Sequence, residues 1–150
     1  MAIGGLFLST YENKIDTKGR VSIPSSFREI ILKENNSSVI IYKSLHKACL
    51  EGCTQQHIEK LQTAIDSFNP FSQEKDAFET AIFSDSIFLE IDKDGRINIP
   101  KKYTKYANIE GVALFVGKGK IFEIWKPEEY EEYSQKCRSF AIENAHLIKW

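Results

Sequence analysis

Two short segments of the chain carry an aspartate, a glycine and an arginine in the same order and at the same spacing. Residues 13–24 read NKIDTKGRVSIP and residues 89–100 read LEIDKDGRINIP. Each predicts a tight turn at its glycine, with an arginine beside it. Such a turn can present a bidentate guanidinium to phosphate oxygens or guanine edges. The candidate site residues of the first turn are Asp16, Lys18, Gly19 and Arg20.

The second turn repeats this chemistry with one change, because Asp94 stands where the first turn has Lys18. An acid among phosphates is repulsive, so the first turn is expected to be the stronger contact. The other candidate residues are Lys14, Arg28, Asp92, Lys93, Gly95 and Arg96, with Lys101 and Lys102 beyond them. Each arginine can also pair with the aspartate of its own turn and brace it, and the two roles are compatible.

Patterns with catalytic or metal-binding chemistry are weak. The chain has no glycine-rich phosphate-binding loop and no Gly-x-Ser-x-Gly motif, and its three histidines lie outside recognisable catalytic strings. His46, Cys49, Cys53 and His57 are soft ligands, but their spacing does not match a zinc knuckle. The alignment of the two copies also places Cys49 beside Phe122 in a strand, where alternate residues diverge. We predict no enzymatic activity, no cofactor and no metal site.

The net charge of the chain is close to zero, but the charges are unevenly distributed. A formal net charge of -1 argues by itself against a nucleic-acid binder. However, residues 11–33 and residues 89–105 each hold five Lys and Arg against three acids, and are net +2. Residues 51–88 hold two Lys against seven acids and are net -5. This segregation permits a basic face opposite an acidic one.

The composition is typical of a globular intracellular protein. An apolar content of 42% and a charged content of 27% in 150 residues allow a packed core. No segment resembles a signal peptide or reaches the length of a bilayer crossing, and three cysteines are most simply reduced thiols. We therefore expect a cytoplasmic protein with no membrane partner and no small-molecule substrate.

Each copy is predicted to fold as strand, tight turn, strand and short helix, followed by two closing strands. In the first copy the strands cover residues 5–15, 21–23, 39–43 and 48–51, and the helix covers residues 27–33. In the second copy the strands cover residues 87–91, 97–99, 112–116 and 120–125, and the helix after Pro100 stops near Gly111. Ser26 and Glu29 have the spacing of a capping box.

The remaining segments are predicted to be helical. Ile58, Leu61, Ile65 and Phe68 recur at helical spacing and are expected to pack in the core, while Pro127 opens a last helix. The expected organisation is a first module over residues 5–53, a helical connector over 54–86, a second module over 87–130, and a C-terminal helix and tail over 131–150. The predicted fold class is mainly β with α, with two tandem pseudo-symmetric modules in one body.

The strings DTKGRVSIPSSFRE, DKDGRINIPKKYTKYA and IFEIWKPEEY resemble the MraZ family of bacterial transcriptional regulators, which are built from two SpoVT-AbrB-type swapped-hairpin modules. The likeness covers about residues 7–133. It implies a β-barrel-like body in which the two halves interleave, with helices packed outside. It also implies closed ring oligomers, in which many small basic loops gain affinity through multivalency.

The resemblance further implies a function. Members of this family bind short repeated boxes upstream of the division and cell-wall gene cluster, including their own promoter, and act mainly as repressors. Their DNA-contacting element is the Asp-x-x-x-Arg turn, which corresponds here to Asp16, Lys18 and Arg20, and to Asp92 and Arg96. The implied partners are double-stranded DNA and further copies of the chain, and the implied location is the nucleoid.

Two other functions stay open. The turns could lock subunits together in a structural module, which the acidic middle segment and the near-neutral charge favour. The chain could also be an AbrB-type antitoxin that neutralises a toxin with its tail, although such antitoxins usually carry one module.

Overall fold

The computed structural model describes residues 5–34 and 37–150, which contain eight strands and five α-helices. The strands are β1 (Thr10–Lys14), β2 (Arg20–Ser22), β3 (Ser38–Lys43), β4 (Leu50–Cys53), β5 (Ile87–Glu90), β6 (Arg96–Asn98), β7 (Val112–Gly117) and β8 (Phe122–Trp125). The helices are α1 (Ser25–Lys33), α2 (Gln55–Asp66), α3 (Gln73–Phe78), α4 (Lys101–Tyr106) and α5 (Pro127–Glu143). A π-helical turn (Glu79–Ser84) extends α3, and a 3-10 turn (Ala145–Leu147) follows α5.

The first strand of each copy pairs with the third strand of the other copy. β1 is antiparallel to β7, with Glu12 opposite Leu114, and β5 is antiparallel to β3, with Leu89 opposite Val39. These pairs belong to a six-stranded sheet of order β1-β7-β8-β4-β3-β5. The second strands, β2 and β6, pair with each other in a separate antiparallel ribbon. The two copies are therefore interleaved.

The mainly β class with flanking helices is confirmed. Within residues 5–34 and 37–150 the strands form the open sheet and the ribbon, and no closed barrel. β1 begins later than the sequence predicted, because Ser9 adopts a φ of 74° and interrupts the extended chain before Thr10. Phe7 makes only an isolated bridge to Gly119.

A pseudo-two-fold axis relates the two copies and passes through two pairs of equivalent residues. Glu51 of β4 lies opposite Glu123 of β8, and Val21 of β2 lies opposite Ile97 of β6. An antiparallel pair of strands is symmetric about such a central pair. The axis therefore crosses both the middle of the sheet and the middle of the ribbon.

The principal core lies between the inner face of the sheet and the ribbon. Four buried phenylalanines meet there with ring centroids between 5.1 and 6.4 Å apart: Phe7, Phe27, Phe115 and Phe122. Val21 and Ile97 of the ribbon are buried in the same cluster. Burial of side chains of this size stabilises the fold by about 1.5–3 kcal/mol each, so the inward face of the ribbon is fixed. Its other residues must then face outward.

Helices α2 and α3 cover the outer face of the sheet over β3 and β4. Ile65 is buried there, and Ile58 and Leu61 pack against the same cluster, which confirms their predicted role in the core. Phe68, the last residue of the predicted stripe, contacts the ring of Phe78 but remains 40% exposed. The apolar stripe is therefore mainly, but not entirely, used for internal packing.

Helix α5 covers the outer face over β7 and β8. Trp125 meets Tyr130 edge-to-face at 5.5 Å and stacks on Tyr133 at 5.2 Å between ring centroids. Pro127 occupies the first turn of the helix, as predicted. Because the aromatic contacts are confined to its first turns, only the N-terminal part of α5 is anchored to the sheet.

The predicted capping box is wrong. Ser26 lies inside α1, which begins at Ser25 after the N-cap residue Pro24, and no side chain of the described residues caps this end. The hydroxyl of Ser26 instead donates to the hydroxyl oxygen of Tyr11 at 3.2 Å. The Ser26–Glu29 spacing is therefore that of two helical residues, and not of a cap and its partner.

The second-copy helix is shorter than predicted. α4 ends at Tyr106, whereas the sequence placed its end near Gly111. Asn108 adopts a φ of 56°, in the left-handed region, and so terminates the helical path before the glycine is reached. The helices that follow the two ribbon strands therefore differ in length.

Candidate nucleic-acid interface

The first turn is held closed by the carboxylate of Asp16. Its Oδ1 accepts hydrogen bonds from the backbone N–H groups of Lys18 and Arg20, both at 2.9 Å. Its Oδ2 accepts from Nε of Arg20 at 2.7 Å. The Arg20 side chain is still 49% exposed. The turn therefore orients a guanidinium through one edge while its side chain remains accessible.

The second turn has the same backbone geometry but a different arrangement of its arginine. Oδ1 of Asp92 accepts from the backbone N–H groups of Asp94 and Arg96 at 2.8 and 3.0 Å. The distance from Nε of Arg96 to Oδ2 of Asp92 is longer, at 3.4 Å. Nη2 of Arg96 instead lies 3.3 Å from Oδ2 of Asp94. Two carboxylates thus share the guanidinium of this turn.

Hydrogen bonding lowers the pKa of both turn aspartates. For Asp16 the main cause is the bond from the backbone N–H of Arg20, followed by the bond from the Arg20 side chain. For Asp92 the main cause is the bond from the backbone N–H of Arg96. Donors that favour the ionised form keep a carboxylate charged to lower pH. The two carboxylates that close the turns are therefore ionised at neutral pH.

Each turn is also tied to the other copy through its glycine. The carbonyl oxygen of Gly19 accepts from the N–H of Ile99 at 2.9 Å, and that of Gly95 accepts from the N–H of Ile23 at 2.9 Å. Gly19 has a φ of 90°, and a Cβ built on it would lie 2.1 Å from the carbonyl oxygen of Ile99. This position requires glycine for both its conformation and its close contact.

The ribbon places both arginines on one outward face. Arg20 lies opposite Asn98, and Ser22 lies opposite Arg96, on the face away from the core. Because Val21 occupies the buried alternate position of β2, the side chains of Arg20 and Ser22 share the other face.

Sequence reasoning missed Ser22 and Asn98. Their signal was the period-two alternation after each arginine, but the pairing of β2 with β6 was needed to bring them together.

Arg28 lies at the second turn, although it follows the first in sequence. Its Nη1 donates to the carbonyl oxygen of Ile23 at 2.8 Å, and the side chain is half-buried. A Cβ built on Gly95 would meet Nη1 of Arg28 at 2.3 Å. The equivalent position in the second copy is Thr104, so the second copy does not supply the corresponding arginine to the first turn. Arg28 adds a positive charge to the second turn.

The other predicted cations occupy different surroundings. Lys14, Lys18, Lys93 and Lys101 are exposed. Nζ of Lys102 lies 2.9 Å from Oδ1 of Asp85 and 5.0 Å from the centroid of the Tyr103 ring. Lys102 is therefore engaged within its own chain, whereas the exposed lysines close to the two turns are available to an anionic partner.

The cysteine–histidine cluster has the geometry of buried thiols. Leu50 and Phe122 begin equivalent strands, so Phe122 corresponds to Leu50 and the predicted alignment of Cys49 with Phe122 is wrong by one residue. Cys49 and Cys53 are fully buried in separate apolar clusters, and burial raises the pKa of each to about 12. In the part of the chain that the structure describes, no three His, Cys, Asp or Glu side chains are grouped so as to hold a metal ion.

Among residues 5–34 and 37–150, no helix combines the length and the apolar character that a membrane crossing requires.

Comparison with known proteins gives matches over nearly the whole chain. The family model described as "MraZ protein, putative antitoxin-like" matches residues 6–80 and again residues 82–148. The transcriptional regulator MraZ of Pelagibacter ubique (strain HTCC1062) is 45% identical over 145 residues, which are 97% of this chain and 94% of that protein. The transcriptional regulators MraZ of Rickettsia akari (strain Hartford) and Rickettsia rickettsii (strain Sheila Smith) are 43% and 45% identical over 144 residues, which are 96% of this chain and 97% of each relative.

Proposed function

The chain belongs to the MraZ family, and from this membership and the geometry of its ribbon we propose that it is a transcription regulator that binds double-stranded DNA. The observation that carries the proposal is the outward face of the ribbon, where Arg20 and Arg96 lie on either side of the pseudo-two-fold axis. No catalytic step and no cofactor are part of this function.

The ribbon has dimensions that suit the major groove of DNA. Its two backbones are about 5 Å apart, and the major groove, about 12 Å wide, admits a two-stranded β-ribbon. The register sets Arg20 and Arg96 two residues apart along the ribbon, which is roughly 7 Å. Both guanidinium groups can therefore reach neighbouring base pairs in one groove.

Within this interface the residues have separate roles. The guanidinium groups of Arg20 and Arg96 bind guanine edges or phosphates, and Asp16 and Asp92 position them through the turn hydrogen bonds. Lysines near the turns contact phosphates: Lys14, Lys18 and Lys93. Gly19 and Gly95 allow the backbone to turn, and Arg28 supports the second turn from beside Gly95.

Ser22 and Asn98 complete the base-reading face. Asn98 lies opposite Arg20, and Ser22 opposite Arg96, so each arginine shares its end of the ribbon with a residue of the other copy. An asparagine amide can pair bidentately with adenine, and a serine hydroxyl accepts or donates to several bases. Because the two pairs differ, the two ends of the ribbon read different bases.

The first turn is the stronger DNA contact. The guanidinium of Arg20 pairs with one carboxylate in its turn, whereas that of Arg96 pairs with both Asp92 and Asp94. The extra carboxylate repels phosphate and competes for the guanidinium. Arg28 offsets part of this charge, but it is half-buried and donates to a backbone carbonyl.

The finer features of the proposal come from the family resemblance. We propose that the chain assembles into a ring and binds repeated boxes upstream of the division and cell-wall gene cluster, including its own promoter, mainly as a repressor. The modules bounded by residues 5–53 and 87–130 are its repeated units, and its place is the cytoplasm at the nucleoid. A ring with two turns in each copy gains affinity through multivalency, which compensates for a net charge of -1.

A gel shift on the region upstream of the gene tests the proposal. Arg20→Ala should abolish the shift and leave the size of the oligomer unchanged, because the side chain is outside the core. Lys60→Ala on α2 removes an exposed charge elsewhere and should shift DNA like the unaltered protein. Loss of assembly in Arg20→Ala would instead favour a structural role for the turn.

A further inference from the structure

The C-terminal apolar segment, defined as residues 136–150, projects large apolar side chains into solvent. Every residue from 135 to 143 is exposed, so among residues 5–34 and 37–150 nothing buries this part of α5. The exposed fractions are 65% for Phe140, 66% for Ile142, 64% for Leu147, 58% for Ile148 and 104% for Trp150. A concentration of exposed apolar side chains on one segment marks an interaction surface.

A complementary surface lies on the outer face of the sheet. The α2–α3 groove is a cavity of about 400 Å³ lined by Leu61, Ile65, Phe78 and Ile82, with Leu45 and Phe68 at its rim. Leu45 is 48% exposed and Phe68 is 40% exposed. The cavity is large enough to accept an aromatic side chain and its neighbours. Its apolar lining has no occupant within the described chain.

The charges of the two surfaces are opposite. The C-terminal apolar segment carries Lys136, Arg138 and Lys149 against Glu143, and is net +2. Glu51 is the carboxylate in the lining of the groove, and most of the other lining residues belong to residues 51–88, a segment with two Lys against seven acids. Opposite potentials steer association and disfavour contact between like surfaces. The C-terminal apolar segment is therefore opposite in charge to the part of the chain that forms the groove, and both surfaces are apolar.

We propose that the C-terminal apolar segment of one copy docks in the α2–α3 groove of a second copy. The inference rests on the ring assembly of the proposed function and names its interface. Because the segment and the groove are different surfaces, the contact is heterologous, and each copy can give one segment and receive another. Repetition of such a contact produces a closed ring when its rotation closes.

The test is the molar mass of variants by size-exclusion chromatography with light scattering. The segment variant is Phe140→Ser with Leu147→Ser, and the groove variant is Phe68→Glu. Both should have the mass of one chain, where the unaltered protein has the mass of the ring. Phe71→Glu is the matched control, because Phe71 is 98% exposed and outside the groove, and it should assemble fully. Circular dichroism verifies that each variant is folded.

A mixture of the segment variant and the groove variant gives the sharpest result. The first keeps an intact groove and the second an intact segment, so one contact can form and no second one can follow. We expect a species of twice the chain mass. A segment variant that retains the full mass would overturn this inference and leave the ring and DNA binding untouched. An unaltered protein that is monomeric would instead contradict the ring itself.

Discussion

The backbone N–H of Ile99 donates to the carbonyl oxygen of Gly19 at 2.9 Å, and so joins the turn of the first copy to the end of the second strand of the other. The equivalent bond runs from Ile23 to Gly95. Each turn is thus positioned by both copies. An isolated copy would lack both the ribbon and the hydrogen bond from the other copy to its turn. This explains why the repeats act as one interleaved body.

Gly19→Ala should destabilise the protein by more than its backbone conformation alone requires. A φ of 90° costs an L-residue about 1–2 kcal/mol, and the close approach to Ile99 adds an overpacking cost of about 1–3 kcal/mol. The measurement is the free energy of unfolding in urea. Gly111→Ala is the matched control, because Gly111 has a φ of 77° and a Cβ built on it would have no atom within 4 Å. Equal losses of unfolding free energy in the two variants would contradict the close contact between Gly19 and Ile99.

The stability that Asp16 contributes should disappear in acid. Because the folded state lowers the pKa of Asp16, its contribution is fully present above the unfolded pKa, about 3.9, and is lost as the pH falls through the folded pKa. The difference in free energy of unfolding between the unaltered protein and Asp16→Asn should therefore shrink below about pH 4. Asp92→Asn should show a smaller difference, since Nε of Arg96 is farther from its carboxylate. If the difference in free energy of unfolding stayed constant as the pH falls below about 4, the Asp16 carboxylate would not stabilise the turn.

The two turns were predictable because they are local. Asp16 and Arg20 are four residues apart, and the glycine between them fixes the conformation that lets the carboxylate reach both backbone donors. The same holds for the elements with strong periodicity, such as the stripe that includes Ile65 in α2. Neighbouring residues determine how each turn closes and where the helical stripe lies, and the other copy then fixes the position of the turn.

The pairing of β2 with β6 was not predictable from the residues alone. The two strands are separated by more than seventy residues, and nothing in the three residues of either strand encodes its partner. Ser22, Asn98 and the position of Arg28 all depend on that distant pairing. The family resemblance implied an interleaved body, but only the register shows which side chains share the outward face.

Asp94→Lys should strengthen binding by the second turn. The change removes the carboxylate that holds Arg96 and adds a cation at the position equivalent to Lys18. The measurement is DNA affinity as a function of salt, and the slope of log K against log salt should steepen by about 1 for each such turn bound. Glu131→Lys makes the same change of charge on exposed α5 and should leave the slope unchanged. An unaltered slope in Asp94→Lys would remove the second turn from the interface.

Asn98→Ala should weaken sequence discrimination more than it weakens general DNA binding. The amide lies on the outward face beside Arg20 and carries no charge, so in the proposed complex its loss should remove a base contact worth about 1–3 kcal/mol. Anisotropy titrations on a box and on a scrambled duplex separate the two effects. Lys18→Ala provides the contrast, because loss of a phosphate contact should weaken both complexes alike. If Asn98→Ala weakened both equally, Asn98 would be a phosphate contact and not a reader of bases.

Methylation interference shows whether the arginines of the ribbon read base edges in the major groove, as we propose. Methyl groups on guanine N7 obstruct the major groove at individual positions. We expect methylation of particular guanines in each box to block binding by the unaltered protein. Arg20→Lys keeps the charge but loses the planar guanidinium, and it should no longer distinguish those guanines. Binding that is indifferent to N7 methylation at every guanine would rule out base reading by these arginines in the major groove.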